Sequence, residues 1–210
     1  MDKPAATVRL TTVVVGAAYA GALYISGEHL QAGLKQALSY LPAFAVLAVT
    51  LWDVWLWRQP FVHRFARRPV LAGTWRATLK PTADSHIPLG GNRGPIEAYV
   101  IITQSYWSIS VRQYTVESRS ESKAAMWSGG STSSNKILTF TFANMPKQEL
   151  ESRSRSHLGT AAVDVVGSQP RILSGYYFTD RYTKGDMTLA LFDRSVDHPD
   201  FDSAQAHCQP

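Results

Sequence analysis

The residue types that most often carry chemistry are few in this chain, and they are scattered. Histidines stand at positions 29, 63, 86, 157, 198 and 207. No two lie two to five residues apart, the spacing by which one strand or helix presents a pair of metal ligands. The lone cysteine, Cys208, excludes an internal disulfide and a thiolate-built zinc centre. No Gly-x-Ser-x-Gly elbow, P-loop or Gly-x-Gly-x-x-Gly turn occurs. His157 beside a serine could imitate a hydrolase, but the sequence indicates no carboxylate to orient it. Asp180, Asp186, Asp193, Asp197, Asp200 and Asp202 crowd the C-terminal end and are read as a solvated tail. No catalytic residue, metal ligand or cofactor is assigned, so the expected chemistry is recognition rather than catalysis.

The most informative segment for recognition is Glu117-Ser118-Arg119-Ser120-Glu121-Ser122-Lys123. On a strand, alternate side chains face opposite sides, which puts charges on one face and three serines on the other. A strand closing a packed core would carry Val, Ile or Leu on its buried face; small hydroxyls there leave a roomy, polar space. The competing reading is a serine-rich edge strand solvated on both faces. Neighbouring runs favour the cavity: Trp107, Ile109 and Val111 alternate on one strand, and Ala98, Val100, Ile102 and Gln104 on another, with Thr160 and Tyr176 expected to face inward opposite them. Gln104, Trp107, Ser118, Ser120, Ser122, Thr160 and Tyr176 are therefore the expected ligand-binding residues. Aromatic walls with a few hydroxyls and an amide suit a flat, polar heterocycle better than a fatty acid.

Such a wall needs a closed sheet to hold it. After Pro69 the chain turns to short β-branched and aromatic runs between turn signals. Strands are expected near 73–80, 96–104, 106–115, 117–127, 136–143, 156–166, 171–179 and 185–193. Eight successive strands with short links predict an antiparallel up-and-down barrel, wide enough for one small ligand. Gly73-Thr74-Trp75 resembles the opening of lipocalin-type barrels, in which the Trp plugs the closed end.

The first seventy residues are of another kind. Leu10 to Gly27 and Gln36 to Trp52 carry no formal charge, and only Asp53 interrupts before Val54-Trp55-Leu56-Trp57. A bilayer core of about 30 Å needs roughly 20 helical residues, so the two runs predict a transmembrane hairpin. A small-residue site at Ala20-Gly21-Ala22 suits signal cleavage poorly, because it falls in mid-run and a second span follows. Of the chain's 21 Lys and Arg against 16 Asp and Glu, the first 70 residues hold 7 against 3. Lys3, Arg9, Arg58, Arg64, Arg67 and Arg68 flank the spans, whereas the link between them, with Glu28 and His29, offers Lys35 alone. Positive charge is retained in the cytoplasm, so both termini and the barrel are expected there. Trp52, Trp55 and Trp57 suit an interfacial belt, and Asp53 a hydrated interfacial carboxylate. Gly16, Ala17, Ala20 and Gly21 allow close helix approach, either within the hairpin or between copies.

Hairpin, Gly73-Thr74-Trp75, Ile102-Thr103-Gln104-Ser105-Tyr106-Trp107, the serine strand, His157-Leu158-Gly159-Thr160-Ala161 and Leu173-Ser174-Gly175-Tyr176-Tyr177 together resemble the two-transmembrane, β-strand-rich effectors of bacterial cyclic-oligonucleotide-based antiphage signalling (CBASS). The resemblance implies a bacterial inner-membrane protein whose barrel binds a cyclic dinucleotide. It further implies ligand-induced homo-oligomerisation of the hairpins, membrane disruption and death of the infected cell, with no nucleic acid polymer as partner. Such a ligand carries two phosphate charges and needs donors. Arg76, Arg112 and Arg119 are expected to point outward, while Arg153, Arg155 and Arg181 lie near strand ends where they could reach a cavity mouth.

The expected division is an N-terminal tail and two transmembrane helices over 1–58, a basic juxtamembrane linker over 59–69, a ligand-binding barrel over 70–195 and a C-terminal tail over 196–210. Two other classes remain open: a membrane-tethered carrier or sensor of an apolar ligand, whose lumen would be mostly Leu, Ile, Val and Phe, and a structural interaction domain with a filled core.

Overall fold

A computed structural model describes residues 4–26, 31–66, 68–87, 89–129, 135–152 and 154–208. Lys3, Gly27, Glu28, His29, Arg67 and Arg153, and the side chains of His63 and Arg64, lie outside the described residues. The chain divides into two compact units, Met1–Ala66 with Ser105–Ser108, and Arg67–Gln104 with Ile109–Pro210.

The first unit is helical. It comprises α1 (Pro4–Ser26), α2 (Ala32–Ser39), α3 (Leu41–Val54), a short 3-10 turn over Leu56–Arg58 and α4 (Pro60–Ala66). α2 and α3 break at Tyr40 because Pro42, in the first turn of α3, has no N–H to continue the ladder. Two stretches, Ala6–Ser26 and Ala32–Val54, are long and apolar enough to cross a membrane; 21 residues at 1.5 Å each span about 32 Å. Their hydroxyls are tied to their own backbone, with Thr12 donating to the Val8 carbonyl and Ser26 to that of Ala22. Gly16 is buried where α1 crosses α3, and a Cβ there would come within 2.9 Å of the Pro42 Cβ. Gly21 has open space around its Cβ position. Of the small residues in α1, Gly16 is thus committed to packing within the hairpin.

Asp53 is fully buried, not hydrated as the sequence led us to expect. Its Oδ2 accepts from the Arg9 guanidinium at 2.7 Å, joining the start of α1 to the end of α3. Its Oδ1 accepts from the Trp107 backbone N–H at 3.2 Å, and its carbonyl from the Tyr106 N–H at 2.9 Å and the Trp57 indole at 3.0 Å. Trp57 is therefore a packed residue with its edge against Tyr106, not part of a lipid-facing belt, whereas Trp55 is exposed.

The second unit is a closed antiparallel barrel of β1 (Gly73–Pro81), β2 (Ile96–Gln104), β3 (Ile109–Tyr114), β4 (Ser118–Ser128), β5 (Asn135–Pro146), β6 (His157–Val166), β7 (Ile172–Thr179) and β8 (Lys184–Asp193), each paired with its neighbours in sequence and β8 with β1. Trp75 is fully buried and its indole donates to the Leu71 carbonyl at 2.9 Å. Around it Val100, Ile102, Leu138, Val163, Leu173 and Leu189 fill one end of the barrel. Alternate aliphatic positions on β2 (Val100, Ile102), β6 (Val163, Val165) and β8 (Leu189, Leu191) supply most of this plug. Gly73, at φ +144°, lets β1 enter against β8: a Cβ would meet the Asp193 carbonyl at 2.3 Å. A last helix, α5 (Phe201–Cys208), stands where a solvated tail was expected. Its start is capped by Asp200, whose carboxylate accepts from the Ser203 N–H at 2.8 Å. Around its Ala204, with Val196, Phe201 and Cys208, pack Tyr99, Ile101 and Tyr114 of the barrel's outer face.

Candidate functional site

The barrel is filled at the Trp75 end and hollow at the other. A cavity of about 510 Å³ lies among the ends of β1, β3, β5 and β7 and the starts of β2, β4, β6 and β8. That volume falls within the roughly 300–1,000 Å³ of small-molecule sites. Its floor is apolar, made by Leu79, Ile96, Phe140, Ala161 and Met187. Above the floor stands a polar belt of Gln113, Thr115, Ser118, Ser120, Asn144 and Thr179.

Ser120 and Asn144 are both buried, and the serine hydroxyl donates to the Asn144 Oδ1 at 2.8 Å. With its oxygen so engaged, the amide offers the lumen its N–H donors. Tyr177 is buried at the wall, and burial, with Asp186 adding to it, pushes its phenol up to about 12. At neutral pH it is a donor. Phe140 and Phe142 lie 6.3 Å apart and tilted at 50°, presenting aromatic surface. Gly159 makes room for the second ring: a Cβ there would lie 2.3 Å from the Phe142 Cζ.

The rim is basic. Arg181 lines the cavity and donates to the Ser154 hydroxyl at 2.9 Å, with His157 Nδ1 at 3.5 Å. Arg155 joins these two in a shallower depression alongside. Burial lowers the His157 imidazole from its ordinary value; the Arg155 carbonyl opposes this, and Arg181 lowers it further. The β1–β2 connection contributes Ile87, Gly91 and Asn92 to the lining. It is held by the β7–β8 turn, since Ser85 donates to the Lys184 carbonyl at 2.6 Å and accepts from the Lys184 N–H at 3.0 Å. The sequence reading missed this contribution; Asn92, accepting from the Gly94 N–H, marked only a turn.

Of the seven expected binding residues, the structure brings Ser118 and Ser120 to the cavity. Ser122 sits beside a bulge, where the β4–β5 register slips between Ser122 and Ala124, and its hydroxyl accepts from the Val111 N–H at 2.9 Å in place of a ladder bond. Gln104 is buried at the filled end, where its amide accepts from the Leu71 N–H and donates to the Pro69 carbonyl. Trp107 is not on a strand; it belongs to the Ser105–Ser108 turn of the helical unit. Thr160 and Tyr176 face outward, opposite to the expected side, since Ala161 and Tyr177 take the inward positions and Tyr176 is 56% exposed. Arg76 pairs with Glu97 on the exterior, and neither Arg112 nor Arg119 lines the cavity. Away from this site, Asp193, His198 and His207 converge, although the sequence separates them.

No curated protein matches the chain. Among protein families, residues 66–190 match the Cap15 cyclic dinucleotide receptor domain. The match spans the first strand to most of the eighth and so contains the strand ends that form the hollow end, with His157 and Arg181 of its rim. With its closed eight-stranded barrel and two N-terminal apolar helices, the chain belongs to the Cap15 cyclic dinucleotide receptor family of CBASS effectors.

Proposed function

We propose that the hollow end of the barrel is where this chain takes up a cyclic dinucleotide, and that occupancy drives association of the apolar helices in a bacterial inner membrane. The observation that carries the reading is the layered cavity: aromatic and aliphatic floor, amide and hydroxyl belt, basic rim. Each layer matches one part of such a ligand. Bases stack on Phe140 and Phe142 and bond to Asn144, Ser118 and Ser120. The two phosphates meet Arg181 and Arg155. In this reading the two apolar helices span the bilayer, the termini and barrel are cytoplasmic, and membrane disruption kills the infected cell.

The ligand can shift the population only by its preference for the associated state. A direct strand connection supports transmission: β2 and β3 are joined by Ser105–Ser108, whose backbone is bonded to Asp53 of the helical hairpin. The test is expression in bacteria with and without a cyclic dinucleotide synthase. Dye entry through the inner membrane is expected only when both are present. Membrane damage by the chain alone, or none with any cyclic dinucleotide, contradicts the reading. The mixed polarity of the lumen argues against the apolar-carrier alternative, and its volume against a filled interaction domain.

A further inference from the structure

The C-terminal segment brings together three groups that no local spacing links. Asp193 ends β8, His198 lies in the connection that follows, and His207 is in the last turn of α5. One ligand atom from each lies within 4.8 Å of the others. The His207 Nε2 faces the Asp193 Oδ2 directly. The two imidazoles lie 4.5 Å apart at their centroids, tilted by 35°.

His198 is the revealing member. It is only 8% exposed, and its Nε2 is buried with no hydrogen-bond partner among the described residues. A buried polar atom left unpaired beside a carboxylate and a second imidazole is rare unless something else satisfies it. The carboxylate itself is oriented, since Asp193 Oδ1 accepts from the Ser195 N–H at 2.9 Å. Two imidazoles and a carboxylate held by such a bond are the donor set of a first-row divalent ion of the zinc class. Around such an ion, at roughly 2.0–2.2 Å from each ligand, the donor atoms stand about 3.3 Å apart in a tetrahedron. In the arrangement present, one donor atom from each residue lies within 4.8 Å of the others, already near that spacing. Cys208 follows His207 but packs against the apolar cluster of Tyr99, Ile101 and Ala204, so the fourth position falls to water.

We propose that Asp193, His198 and His207 bind one zinc-class divalent ion, which clasps α5 to the outer face of β2 and β3. The alternative is a metal-free His207–Asp193 ion pair with His198 as a bystander, and it leaves the His198 Nε2 unexplained.

The experiment uses the tag-free full-length chain in detergent, stripped with a chelator and titrated with Zn2+ against a chromophoric competitor. One equivalent per chain is expected, with affinity falling at least tenfold in His198→Gln and in His207→Gln and unchanged in the exposed control His86→Gln. Co2+ added to the wild-type chain reports coordination without relying on a variant's folding. Visible bands of a four-coordinate nitrogen–oxygen site, without thiolate charge transfer, are expected. Substoichiometric Zn2+, equal affinity in His198→Gln, or a Co2+ spectrum of the hydrated ion overturns the proposal.

Discussion

Under the proposed function, Ser120 and Asn144 meet the ligand's bases. Ser120 is small and buried, and through its bond to Asn144 it sets which face of the amide the cavity sees. Ser120→Trp should fill that space and leave the fold intact, weakening cyclic dinucleotide binding on the order of a hundredfold, or ~2.7 kcal/mol. Calorimetry on the full-length chain checks this, and unchanged affinity would place the ligand elsewhere. His157 gives the rim a pH dependence. Because burial holds its folded-state pKa below the ordinary 6.5, the unfolded chain binds a proton there more readily. Its contribution to stability is therefore present above about pH 6.5 and is lost as pH falls toward the lowered folded value. Urea melts at pH 7.5 and 5.5 should show this loss, and His157→Gln should reduce it.

At the scale of elements, strand placement was legible and strand phase was not. All eight strands lie close to the expected positions because β-branched runs between turn residues carry a period of two. Tyr176 and Tyr177 are adjacent and alike, so alternation alone does not say which faces inward. The pairing with β6, Ala161 against Tyr177 and Ala162 against Tyr176, decides it. The serine strand alternates evenly from Ser118 to Ser122, and the bulge near Lys123 shifts the phase only of the residues after it; Ser122 is spent on the Val111 N–H, a bond that alternation does not reveal. α5 escaped notice because it is eight residues long and follows a run of aspartates; Asp200 with Ser203 three residues on was the available signal. The β6–β7 pair yields an expected outcome of its own. A Cβ at Gly175 would lie 2.0 Å from the Ala162 carbonyl, and backbone cannot step aside as a side chain can. Gly175→Ala should cost about 1–3 kcal/mol, read as a lowered melting temperature.

For the whole molecule, the two ends of the barrel are built differently, one filled and one hollow. The chain enters β1 and turns from β2 to β3 at the filled end, while the cavity and its rim lie among the opposite strand ends. Nothing in the sequence marked Asp53 as the acceptor of the Ser105–Ser108 turn, because that bond joins residues 54 positions apart. Under the proposed mechanism, Asp53→Ala frees Arg9 and the turn together. It should abolish membrane damage in cells yet change ligand affinity less than about threefold, since the altered bonds lie outside the lumen. Full toxicity in that variant would show that the connection is dispensable.

Direct titration of the purified chain with cyclic dinucleotides and their linear counterparts tests whether the hollow end holds such a ligand. Saturable one-to-one binding of a cyclic dinucleotide, at least about a hundredfold tighter than the matching linear one, is expected, because only the closed ring presents both bases and both phosphates preorganised. Equal affinity for both forms, or no binding of any cyclic dinucleotide, would contradict it.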